Sequence, residues 1–270
     1  MRLLLLLLIS FASVTIYAQK DWSAYPADSG YYLSFDRTKI YYEVRGSGQP
    51  VVLVHGFIVN GNSWKQTALY TALLNAGYKV ITMDLRGNGQ SDKPHTDEAY
   101  ADDAEAKDII GLLTTLRIKQ YKVIGYSRGS IIAARLLIQD ECITAGVLGG
   151  MGADFTNPDW PRRILFYEAL SGKPVKELEG MLQYVRKAGL DTVALAYMQK
   201  EQPSATPAEL AHIQQSVLII AGSEDADNGS AKTLAKMIPN AVYETVPGDH
   251  NNTSRTPEFA TKVMAFLQSH

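Results

Sequence analysis

Five short runs of apolar, largely β-branched residues constrain this chain more than any other feature. They are "VVLVHG", "YKVITMDL", "YKVIGYS", "TAGVLGG" and "SVLIIAGSED". Each is four to eight residues of near-continuous apolar character bounded by Gly, Asp or Ser, the pattern of a strand covered on both faces. Longer stretches of helical spacing separate them. Ile109, Leu112, Leu113 and Leu116 share one helical face, and "TPEFATKVMAFLQ" opens with Thr256 as a cap and Pro257 in the first turn before placing Phe259, Val263 and Phe266 inward. Strands alternating with helices predict an α/β chain with a mostly parallel sheet and helices on both faces. Three further strands complete a set of eight: "YYLSF" and "KIYYEVRGSG" before the first central run, expected to be antiparallel to each other, and "AVYETVPG" after the last.

Between Pro158 and Ile213 the alternation stops. Helical patterns such as "RRILFYEAL" and "VKELEGMLQYVRKAG" are broken by Pro174, Gly189 and Pro203, with no strand among them. Residues 158–213 are read as a helical insertion in the 19–270 domain, too small to stand alone and placed to act as a lid.

The chain opens on "MRLLLLLLISFASVTIYAQ": one cation, Arg2, an apolar stretch from Leu3 to Ile16, and small residues around Ala18. That is the order of a secretory signal peptide over 1–18, and it is short and wrongly flanked for a membrane span. The expectation is an exported protein, periplasmic or extracellular, with no stable membrane anchor after cleavage; an uncleaved anchor is the alternative. The remaining ~250 residues suit one large domain. A formal net charge of −2, from 26 basic and 28 acidic residues, argues against a nucleic-acid or anionic-membrane partner. Cys142 is the only cysteine, so no internal disulfide forms, and its place after an apolar helix is read as a buried thiol. Five scattered histidines make no ligand-spaced cluster, so neither a metal nor a cofactor is expected.

"GYSRG" (125–129) lies directly between a strand and a helix. A serine hydroxyl needs a base to take its proton and donors to hold the resulting oxyanion. In G-x-S-x-G the two glycines make room for a sharp turn that raises Ser127 above the sheet edge, with the amide end of the next helix beneath it. "LVHGF" (53–57), "DLRGNGQSDKP" (84–94), "GYSRG", "GSED" (222–225) and "PGDH" (247–250), in that order, resemble the α/β-hydrolase fold over essentially the whole chain after the leader.

The resemblance implies a serine–acid–histidine set in that chain order. Ser127 is the candidate nucleophile, His250 the base and Asp225 the acid. Glu224 and Asp227 are local alternatives for the acid, and Asp154, after the sixth strand, is a rival position used by some members of this fold. The backbone N–H groups of Phe57 and Arg128 are implied as oxyanion donors. His55 is implied to shape its loop, and Asp84 and Arg86 to tie theirs together. The Arg128 side chain is open between a substrate contact, helix-surface solvation and pairing with a nearby acid. Asp97, Glu98, Asp102, Asp103, Glu105 and Asp108 gather near a helix start and are read as a solvated face. Trp64, Trp160, Phe166, Tyr167 and Tyr184 are open between an acyl pocket and a small core of the insertion. The function implied is an exported serine hydrolase, in the first place an esterase on a small-molecule ester. Thioester, lactone, carbon–carbon, peptide and haloperoxidase chemistry stay open, as does a non-catalytic small-ligand-binding protein.

Overall fold

Residues buried on both sides of a strand need a sheet with layers above and below it, and the central runs supply them. The computed structural model describes residues 22–270. The leader expected over 1–18 and its cleavage point lie outside the described residues. Eight strands form one sheet: β1 (Ala27–Leu33), β2 (Lys39–Arg45), β3 (Pro50–Val54), β4 (Lys79–Met83), β5 (Tyr121–Tyr126), β6 (Ile143–Gly149), β7 (Ser216–Gly222) and β8 (Ala241–Val246). Their spatial order is β1-β2-β4-β3-β5-β6-β7-β8. β2 pairs antiparallel with both β1 and β4, and every other pairing is parallel. The two edge strands β1 and β8 alternate between exposed and partly covered residues, whereas β5 is buried throughout.

Among the described residues ten α-helices accompany the strands: α1 (Asn62–Lys65), α2 (Ala68–Asn75), α3 (Ala104–Thr115), α4 (Arg128–Gln139), α5 (Pro161–Leu170), α6 (Glu179–Lys187), α7 (Thr192–Lys200), α8 (Pro207–Leu210), α9 (Ala231–Ala235) and α10 (Pro257–Ser269). One face of the sheet packs on α3, α4 and α9 through Ile109, Leu112, Ile131, Ile132 and Leu234. The other packs on α2 and α10 through Leu69, Leu73, Phe259 and Val263. The Thr256 hydroxyl accepts from the Phe259 N–H and Pro257 fills the first helical position, so α10 begins at the expected cap.

From β6 to β7 the described residues contain helices and no strand. α5, α6 and α7 share a separate core of Leu170, Leu182, Val185, Leu195 and Met198, joined by Tyr100 from the loop before α3. The inserted helices therefore fold around apolar contacts of their own and sit over the carboxyl ends of the strands. That is also where strand order reverses about β3, so the loops after β3 and β5 diverge and leave a crevice.

The acidic cluster corrects the sequence reading. Glu98 and Asp102 are exposed, but Glu105 and Asp108 are buried, because each meets an arginine brought in from another part of the chain. Arg86, fully buried, donates to Asp108 at 2.7 and 2.6 Å and to Asp36 at 2.8 Å. Asp84 accepts from the N–H groups of Gly61 and Gln90 at 2.9 and 2.7 Å, so both residues of the "DLR" turn act in loop architecture. Cys142 is a second correction: it is exposed, because it lies in the turn after Asp140, past the end of α4.

Candidate active site

The turn from β5 to α4 is tighter than side chains allow, and its two glycines explain how it closes. A Cβ on Gly125 would lie 2.3 Å from the Gly129 carbonyl oxygen, and one on Gly129 would lie 2.2 Å from that of Val54. Between them Ser127 adopts φ 55°, ψ −127°, a conformation that costs a non-glycine residue roughly 1–3 kcal/mol. The surroundings hold it there: the Ser127 N–H donates to the Gly149 carbonyl at 2.8 Å, and the Ser130 hydroxyl donates to the same oxygen at 2.8 Å.

The strained turn aims Ser127 Oγ at an imidazole 123 residues away in sequence. Ser127 Oγ lies 2.8 Å from His250 Nε2, and His250 Nδ1 lies 2.9 Å from Asp225 Oδ2. With Nδ1–H donating to the carboxylate, Nε2 keeps a lone pair toward the serine O–H, the tautomer proton abstraction requires. The turns carrying the acid and the imidazole are pressed together: a Cβ on Gly222 would meet the Gly248 carbonyl oxygen at 2.2 Å, and the Glu224 N–H donates to that oxygen at 3.0 Å. Asp249 Oδ1 accepts from the N–H groups of Asn251 and Asn252, closing the turn around His250.

The rival acids fall elsewhere. Asp154 packs against the backbone at Gly229 and makes no bond to His250 among the described residues. Glu224 is exposed, and Asp227 pairs with Arg162 at 3.1 Å.

Two neighbours of the imidazole carried no signal in the sequence. The Tyr126 hydroxyl donates to the His250 carbonyl at 2.8 Å, and burial raises its pKa well above the usual phenol value. Asn228, also buried, donates from Nδ2 to the Gly150 carbonyl at 3.0 Å and stands 3.4 Å from His250 Nδ1. Tyr126 stands at a variable position of "GYSRG" and Asn228 lies in no motif, so each is brought to the imidazole by packing at the sheet's carboxyl edge.

The loop after β3 passes directly beside the serine, where a Cβ on Gly56 would lie 3.3 Å from Ser127 Cβ. His55 shapes that loop: its Nδ1 faces the Gly56 carbonyl at 2.7 Å while its Nε2 accepts from the Leu85 N–H at 3.0 Å. Those partners fix a neutral imidazole, and complete burial lowers its pKa. The next backbone N–H, that of Phe57, has no hydrogen-bond partner among the described residues, and Arg128 N–H stands at the first position of α4, where no intrahelical acceptor exists. The two segments that carry these N–H groups meet where Gly56 passes Ser127. The side chain of Arg128 turns away: it forms a bidentate pair with Glu105, both bonds 2.7 Å, and is 5% exposed.

A cavity of about 590 Å³ opens over Ser127 and His250 beneath the inserted helices. Phe57, Trp64, Trp160, Phe166 and Tyr184 line it, with Phe57 and Phe166 edge to face at 5.8 Å, whereas Tyr167 packs with the core of the insertion. The five aromatic residues left open by the sequence divide four to one between cavity wall and core.

A mostly parallel sheet with a strained serine turn after β5, and an acid and a histidine on the carboxyl-edge loops after β7 and β8, defines a class. The sequence profile of the α/β-hydrolase fold matches residues 49–169. The chain is 46% identical over 98 residues to a protein from Synechocystis sp. that carries the provisional name non-heme chloroperoxidase, covering 36% of this chain and 34% of that one. It is 37% identical over 100 residues to the non-heme chloroperoxidase CPO-A1 of Kitasatospora aureofaciens, covering 37% and 35%. The chain thus spans about a third of the length of these curated relatives. An esterase from Exiguobacterium antarcticum superposes with a TM-score of 0.74 at 23% identity, over 89% of this chain and 100% of that one. The chain has the α/β-hydrolase fold.

Proposed function

We propose that this protein is a serine hydrolase that cleaves carboxylic esters through an acyl-enzyme. Ser127 attacks the ester carbonyl as His250 Nε2 takes its proton. Asp225 orients the imidazole and stabilises it when charged. The N–H groups of Phe57 and Arg128 receive the oxyanion. His250 returns the proton to the departing alcohol, then draws one from water, which attacks the acyl-enzyme and releases the acid. The inserted helices serve as a lid that limits water at the carbonyl. The single observation that carries the reading is the continuous relay of 2.8 and 2.9 Å from hydroxyl to imidazole to carboxylate, three groups drawn from distant parts of the chain. Export through the leader at 1–18 is part of the proposal, and the N-terminal residue of protein recovered outside the cytoplasm tests it.

The test of the chemistry is Ser127→Ala on 4-nitrophenyl acetate. Turnover should vanish while the unfolding transition is retained, and turnover at the original rate overturns the assignment. A fluorophosphonate probe separates the enzyme from a non-catalytic ligand binder, since only the former is labelled at Ser127.

A second reading, cofactor-free haloperoxidase chemistry on the same residues, is favoured by the 37% identity to a non-heme chloroperoxidase. Hydrogen peroxide replacing water at the acyl-enzyme would release a peroxycarboxylic acid, an oxidant for halide. Peroxide-dependent halogenation by the purified protein in acetate buffer distinguishes it.

A further inference from the structure

The cavity over Ser127 is unevenly charged. Four arginines line it, Arg128, Arg162, Arg163 and Arg255, against one carboxylate, Asp227. Three of the four cations are already engaged. Arg128 is bound to Glu105, Arg162 to Asp227, and Arg163 to the carbonyls of Gln199, Lys200 and Pro158. Arg255 makes no ion pair and no side-chain hydrogen bond among the described residues. It sits at the end of the 3-10 turn Thr253–Arg255, five residues past His250, so its backbone is fixed by the turn that holds the imidazole.

The wall around Arg255 offers donors and lacks anions. The 3-10 turn packs against α2, and Ser254 and Arg255 both line the cavity. No carboxylate of the described residues lines this wall, since the cavity's one acid, Asp227, belongs to the loop after β7 and is held by Arg162. Arg255 is exposed, so in the empty cavity its guanidinium is met by water, and a neutral alkyl chain would offer it nothing in exchange. A carboxylate matches the guanidinium fork with two oxygens.

We propose that the ester taken by this site carries a free carboxylate, seated against Arg255 beside Ser254. The proposal rests on the ester-hydrolase reading and adds the substrate class. The positive lining also draws such an anion into the cleft, which makes the preference sensitive to salt.

The test compares matched esters that differ in charge. On the acyl side these are 4-nitrophenyl hydrogen glutarate and 4-nitrophenyl pentanoate, and on the alcohol side 4-acetoxybenzoate and its methyl ester. In the wild type at least one pair should show a higher kcat/KM for the anion. Arg255→Gln should lower that anionic-to-neutral ratio by about tenfold or more, Arg255→Lys should restore part of it, and about 0.5 M salt should erode it. Ratios that Arg255→Gln leaves unchanged in both pairs overturn the proposal, as does a drop caused by Arg162→Gln in its place. Calorimetric binding of glutarate and 4-hydroxybenzoate to Ser127→Ala keeps this result separate from the chemistry. Binding that is lost on adding Arg255→Gln supports the subsite even where turnover fails, and equal binding in both proteins overturns it.

Discussion

Arg128 and Glu105 form a bidentate ion pair buried to 5% and 3% exposure, and Arg128 is the residue immediately after Ser127. The pair joins the first turn of α4 to the first turn of α3, so the helix whose amide end lies under the serine is tied to its neighbour. Removing one partner leaves a buried, uncompensated charge. Glu105→Ala should therefore destabilise the fold by roughly 3–5 kcal/mol, read from the midpoint of urea unfolding. A midpoint within experimental error of the wild type would show that the pair contributes nothing net.

In the proposed reaction Asp225 would act through His250, whose Nδ1 lies 2.9 Å from its carboxylate. Asp225→Asn should keep the fold and lower kcat for 4-nitrophenyl acetate by roughly four orders of magnitude, because the amide favours the wrong imidazole tautomer. Asp154→Asn is the control, since Asp154 has no bond to His250, and its rate should stay close to that of the wild type. Equal losses in the two variants would return Asp154 to candidacy.

Gly129 is where α4 crosses β3, and a methyl group there would fall 2.2 Å from the Val54 carbonyl oxygen. Backbone atoms of a central strand cannot yield as a flexible side chain can. Gly129→Ala should lower the thermal midpoint sharply or abolish soluble expression, whereas Gly180→Ala, with open space at its Cβ position, should do neither. Comparable midpoints in the two variants would contradict the crowding.

Two groups give stability a common dependence on pH. His55 is buried neutral, with its pKa held below the ordinary 6.5 by desolvation, so the unfolded chain takes up a proton that the folded chain refuses. Its contribution is complete above about 6.5 and declines as pH falls below that value. Glu209, hydrogen-bonded by Arg135, has its pKa lowered from 4.5 to about 2, so its contribution is lost as pH falls through that lower range. Unfolding free energy should decline steadily on acidification below pH 6.5, and His55→Gln should flatten the upper part of the slope. An unaltered slope in that variant would remove His55 from the effect.

The chemistry of the candidate site was legible because it is written locally. Gly125, Ser127 and Gly129 are spaced for one turn, and "GSED" and "PGDH" each follow a strand whose apolar pattern fixes where it ends. The eight strands and their mostly parallel sheet were legible in the same way, from runs covered on both faces, whereas the exchange of β3 and β4 in the spatial order leaves no local mark. What was missed depends on contacts between distant segments. Glu105 and Asp108 have the composition of a helix N-terminus and are buried only because Arg128 and Arg86 arrive from elsewhere. Asn228 and Tyr126 reach His250 from the loop after β7 and the end of β5. Cys142 was judged by the apolar helix before it, but the chain had already turned out to solvent at Asp140.

That exposed thiol has a practical use. Cys142 precedes β6 at the amino end of its strand, on the rim opposite Ser127 and the cavity, and it is the sole sulfhydryl in the chain. A maleimide dye or a bead joined there would anchor every molecule through one point, mouth outward, and leave the catalytic rim free for single-molecule or immobilised assays. The nearby Asp140 raises the pKa of the thiol, so coupling should be fastest in mildly alkaline buffer.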